Sequence, residues 1–96
     1  MPISFLTPET VLANIAAHAK ARRLATNLSR RTLAETSGVA EATIKRFESS
    51  GQISFHSLLK LAFTLGCLDE FQALFPVQPP QTIADLQTKP RQRGSR

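Results

Sequence analysis

The chain has 96 residues, 42% of them hydrophobic, and a formal net charge of +5; it fits one small domain with a modest core and a polyanionic partner, either nucleic acid or an acidic membrane surface. Six Phe with no Tyr or Trp leave few stacking platforms and argue against a single-strand binder. The lone Cys67 excludes an internal disulfide framework and suits a cytoplasmic setting, no apolar run nears the roughly 18 residues of a spanning helix, and residues 1–6 lack the basic start and apolar stretch of a secretory signal.

The first predicted helix covers residues 8–25. Thr7 is its cap, Pro8 suits the first helical position and Glu9 meets the positive end of the helix dipole. Leu6 and Val11 stand at staple positions, and Val11, Leu12, Ile15, Ala16 and Ala19 recur at helical spacing. Ser29 caps a short second helix that Gly38 ends in the left-handed conformation. A third helix runs over 41–49 with Ile44 and Phe47 inward, and Gly51 closes it. Ser54 caps a fourth, whose stripe is Leu58, Leu61, Ala62 and Leu65, ended by Gly66. A fifth covers 68–75, opens with Asp69 and Glu70 and stops at Pro76. This divides the chain into an all-α, five-helix domain at 1–76 and a proline-containing basic tail at 77–96, which reads as disordered when free.

Residues 29–48 have the spacing of a helix-turn-helix. Ala34 allows two short helices to approach closely, Gly38 makes the turn, and Val39, Ile44 and Phe47 lock the second helix against the first. The helix from Glu41 then enters a major groove by its N-terminal half. Lys45 and Arg46 are candidates for guanine O6 and N7, Glu41 for cytosine N4, and Ala40 and Ala42 for a thymine methyl. Ser29, Arg30, Arg31 and Thr43 are candidates for phosphate contact. Two cations in the first turn of a helix oppose its dipole, a cost that a phosphate would offset. Arg22 and Arg23 are further phosphate candidates. Seven Lys or Arg against two Glu between residues 20 and 46 concentrate the basic charge around this unit.

The pattern Leu28-Ser29, Leu33-Ala34, Ser37-Gly38-Val39, Thr43-Ile44, Phe47-Glu48, Leu58, Leu61, Ala62 and Leu65-Gly66 resembles the XRE-type, phage-repressor-like helix-turn-helix family over about residues 8–75. The family usually has Gln at the site of Arg30, where it touches a phosphate and braces the reading helix, and often a Ser cap at the site of Ala40. Ile44 to Glu48, Gly51 to Ser54, Ser57 to Leu59 and Leu68 to Pro76, followed by a basic tail, are similar to the HipB-like antitoxins. That resemblance implies an operator-binding dimer that represses its own operon and binds a HipA-like serine/threonine kinase toxin, whether a single chain or split in two.

The remaining chemistry-bearing residues read as structural. His18, His56 and Cys67 lack the paired spacing of a metal site, and Cys67 reads as a small buried hydrophobe. No nucleophile has an oriented base beside it, and no Gly-rich phosphate loop occurs, so neither an enzyme nor a cofactor is expected. Phe71, Leu74 and Phe75 divide between core and a dimer seam. The tail offers Lys89, Arg91, Arg93 and Arg96 to phosphates and Ile83 and Leu86 to a protein partner. The competing functions are a stand-alone phage-type repressor and a helical adaptor that uses the fold only for protein contact. A membrane role is disfavoured because no helix pairs a strong basic face with bulky aromatics.

Overall fold

A computed structural model describes residues 6–77. Five helices follow in chain order: α1 Pro8–Ala25, α2 Arg30–Ser37, α3 Glu41–Ser50, α4 Phe55–Leu65 and α5 Leu68–Gln72, with no strand among the described residues. The fold is all-α and carries the expected five helices. Expectations for the tail, including Ile83, Leu86, Lys89, Arg91, Arg93 and Arg96, lie outside the described residues.

The starts and stops follow local chemistry. Thr7 accepts from the Thr10 N–H, and the Thr10 hydroxyl returns the favour at the Thr7 N–H, which closes a capping box with Thr in the usual Glu position. The Ser29 and Ser54 side chains accept from the N–H groups of Thr32 and Ser57. Gly38, Gly51 and Gly66 end α2, α3 and α4 at φ near +80°, a region that costs any residue with a Cβ. Gly51 has a second reason to be Gly. A Cβ there would stand 3.0 Å from both Cβ and the carbonyl oxygen of Leu12, so α1 passes directly over the end of α3.

The core is Ala16 from α1, Leu33 from α2, Val39 from the turn, Ile44 and Phe47 from α3, and Leu61 and Leu65 from α4. Ile15, Ala19, Leu28, Ala34, Ile53, Leu58 and Cys67 pack around it. α3 lies against both α1 and α2, and α4 against α2, so the third helix is held from two sides. Burial of its apolar side chains supplies the main driving force for that arrangement.

Two expectations shift. Val11 and Leu12 are 37% and 42% exposed: the Ile15–Ala16–Ala19 part of the α1 stripe packs into the core, while Leu12 meets only the end of α3 at Gly51. The fifth helix ends at Gln72 rather than at residue 75. Ala73 takes the cap position at φ −90° and ψ 6°, and Phe75 then turns the chain at φ +58°. Phe75 is consequently 95% exposed and Leu74 48%.

Candidate nucleic-acid interface

α2 stops where the Gly38 N–H donates to the Ala34 carbonyl at 2.9 Å. Val39, 4% exposed, then plugs the core, and its N–H donates to the Ser37 hydroxyl at 3.1 Å. α3 begins at once. Ala40 occupies its cap position without a side-chain bond, so one orphan N–H of the first turn goes without the oxygen that a Ser would provide. Ile44 and Phe47 are 0% and 1% exposed and fix the rotation of the helix about its axis. At 100° per residue this puts Ala42, Lys45, Arg46 and Ser49 on the opposite side and Glu41 at its flank, and all five are exposed. Ala42, Lys45 and Arg46 therefore share one outward face, with Glu41 beside it and Ala40 exposed at its edge. The Arg46 guanidinium donates to the Gln52 side-chain oxygen at 3.1 Å, across exposed surface. Thr43 is half-buried and borders a polar hollow of about 520 Å³ that Arg46, Gln52, Ser54 and Ser57 also line.

The N-terminus of α2 holds the other candidates. The Ser29 hydroxyl is engaged by the Thr32 N–H and hydroxyl, both at 3.0 Å. Arg31 is exposed and approaches Glu35 at 3.5 Å, a solvated pair that contributes little. Arg30 turns toward α3, where its Nε donates to Glu48 Oε1 at 2.9 Å. α3 is thus braced from α2 by an ion pair.

A family model for the helix-turn-helix matches residues 20–69, more than half of the chain and all of α2, α3 and α4. The chain belongs to the XRE-type helix-turn-helix family. It is a DNA-binding transcription regulator. No curated protein matches the chain. No helix among the described residues is long and apolar enough to cross a membrane.

Two of the phosphate candidates are occupied inside this helix-turn-helix domain. Arg23 corrects the reading of it as a phosphate ligand: it is 5% exposed, and its Nε and Nη2 donate to the two oxygens of Glu48 at 2.7 and 3.0 Å while Nη1 donates to the Leu28 carbonyl at 2.8 Å. Its charge is buried because a carboxylate and a carbonyl together satisfy the guanidinium fork. Arg22 remains exposed, but its Nε donates to the Leu65 carbonyl at 2.9 Å, which satisfies an orphan carbonyl at the end of α4.

Glu48 is the residue that sequence reasoning passed over. Burial pushes its pKa up, but hydrogen bonds from Arg23 and then Arg30, with the charges of the same two groups, outweigh burial and hold the carboxyl below the ordinary glutamate range. Two signals pointed to it in the sequence: Phe47-Glu48 is part of the family pattern, and the acid stands beside inward-facing Phe47 in a segment rich in Arg. Cys67 is half-buried and its thiol is pushed up by burial; Arg22 opposes that push, and the charges of Glu70 and Asp69 add to it. This suits a packing role.

At the far end, Phe71 is half-buried, its ring tilted against Phe55 at a centroid distance of 6.3 Å. Leu74 and Phe75 are open to solvent.

Proposed function

We propose that the protein is a sequence-specific repressor that binds its own operator as a homodimer and serves as the antitoxin of a HipA-like serine/threonine kinase. The outward face of α3 supports the first part of this reading. It presents two cations, one acid and two small side chains on a helix locked in rotation by Ile44 and Phe47. Lys45 and Arg46 suit guanine edges, Glu41 suits cytosine N4, and Ala40 and Ala42 leave room for thymine methyls. Arg30, Arg31, Thr43 and Ser29 are the proposed backbone ligands, Arg30 being tied to α3 through Glu48.

Phe71, Leu74 and Phe75 are the proposed dimer seam. A dimer sets the spacing of two reading helices to one turn of DNA, which a monomer cannot do. The kinase partner is supported by the resemblance of residues 44–76 to HipB-like antitoxins.

Binding to the DNA upstream of its own gene, followed by gel shift, tests the reading. Arg46→Ala is expected to abolish the specific complex and to keep the weak, salt-sensitive one. An unchanged specific affinity would remove α3 from its assigned role. Co-purification with the product of a neighbouring kinase gene tests the antitoxin assignment; a stand-alone repressor would bind its operator and capture no kinase, and an adaptor would shift no DNA even at low salt.

A further inference from the structure

The cluster around Glu48 has an uneven charge balance. One carboxylate, 4% exposed, stands between two guanidiniums, Arg23 at 2.7 Å and Arg30 at 2.9 Å. Arg23 is enclosed, with Nε, Nη1 and Nη2 all bonded. Arg30 differs: Glu48 takes its Nε alone, and the side chain is 36% exposed. The three groups carry one net positive charge, and the surplus lies at the solvent end, on the first residue of α2. A helix N-terminus already favours an anion at that position.

We propose that Glu48 is a positioning residue for the DNA backbone: it holds Arg30 by Nε so that the terminal nitrogens of the guanidinium meet a phosphate at the start of α2. The inference rests on the DNA-binding reading and adds a residue that touches no DNA. The planar guanidinium makes the double role possible, because it carries five N–H donors in a fixed fork, whereas a lysine has one nitrogen to share. Glu48 belongs to α3, so the phosphate contact and the reading helix are tied to the same carboxylate. Backbone contacts set register, and a contact anchored on the reading helix sets it directly.

Simple electrostatics predicts the opposite sign. Glu48→Gln removes a negative charge near DNA and by charge alone should tighten binding. The experiment measures affinity for a mixed-sequence duplex by fluorescence anisotropy over a range of NaCl concentrations, with thermal melts to check folding. Arg30→Ala should weaken binding roughly tenfold and lower the salt slope by about 1. Glu48→Gln should weaken it in the same direction and should add nothing in the Arg30→Ala background. Arg30→Lys keeps the charge and lies on the surface, so it tests the geometry even where Glu48→Gln fails to fold; it should lose most of what Arg30→Ala loses, while Arg31→Lys stays at the parental affinity. Parental affinity in Arg30→Lys, tighter binding in Glu48→Gln, or equal losses from Glu48→Gln with and without Arg30 would each overturn the proposal. A parent chain that binds no duplex at low salt overturns the DNA-binding reading instead.

Discussion

The two ends of this small domain are built differently. Around the helix-turn-helix, α3 is wedged by Ile44 and Phe47 and tied by one buried carboxylate to α1 and α2. Around α5, a five-residue helix stops early and leaves Leu74, Phe75 and Val77 in water. The first end is satisfied within one chain. The second has apolar surface that stands exposed among the described residues, in a domain with little core to spare. The contrast teaches that one carboxylate can fix a helix from two sides within its own chain, whereas a helix of five residues leaves the apolar side chains after it exposed.

The largest expected effect tests the rigid end. Phe47→Ala should cost ~3–5 kcal/mol, because it empties the centre of the core, and urea denaturation should show most of the domain's stability gone. A loss under 1 kcal/mol would mean that α3 is not wedged as described.

The Glu48 cluster comes next. Its carboxyl is held below the ordinary range in the folded chain, so its contribution is fully present above the unfolded glutamate value of about 4.3 and is lost as pH falls through the lower folded value. Thermal midpoints of the parent should drop steeply below about pH 4. Glu48→Gln should start lower at neutral pH, since it leaves Arg23 buried without its counter-charge, and should fall less on acidification. Parallel pH profiles for the two proteins would contradict the ion-pair account.

A smaller effect lies at the cap of α3. Ala40 has φ −59° and ψ 142°, a backbone that a capping Ser adopts without strain. Ala40→Ser should therefore add ~1 kcal/mol of stability in a thermal melt. No gain would show that the first turn of α3 is satisfied in another way.

The smallest effect on stability is expected at the open end. Phe75→Ala should change monomer stability by less than ~0.5 kcal/mol, as befits a side chain in water. Sedimentation should nevertheless show a weaker dimer, and a monomer–dimer equilibrium that ignores the change would move the seam elsewhere.

Much of the backbone was legible in advance because its punctuation is local. Thr7, Ser29 and Ser54 cap through bonds to residues three positions on, and Gly38, Gly51 and Gly66 stop helices through their own φ. The outward face of α3 followed from the period of Ile44 and Phe47. Other features were hidden. Arg22 and Arg23 are neighbours with the same side chain, yet one reaches the end of α4 and the other is enclosed against Glu48. The choice depends on which element lies beside each, and periodicity says nothing of that. The early end of α5 was missed by three residues, because Pro76 sets only the last point at which a helix can stop and no Gly or Asn marks the stop at Ala73.

The amino-acid order alone determined where the helices begin, where α1 to α4 end and which side of α3 turns outward, since caps, glycines and the helical period act over three or four residues. Tertiary structure decided the fate of the charges. Glu48 and Arg23 stand 25 positions apart, and only the packing of α3 on α1 removes enough water to make one carboxylate the shared partner of two arginines.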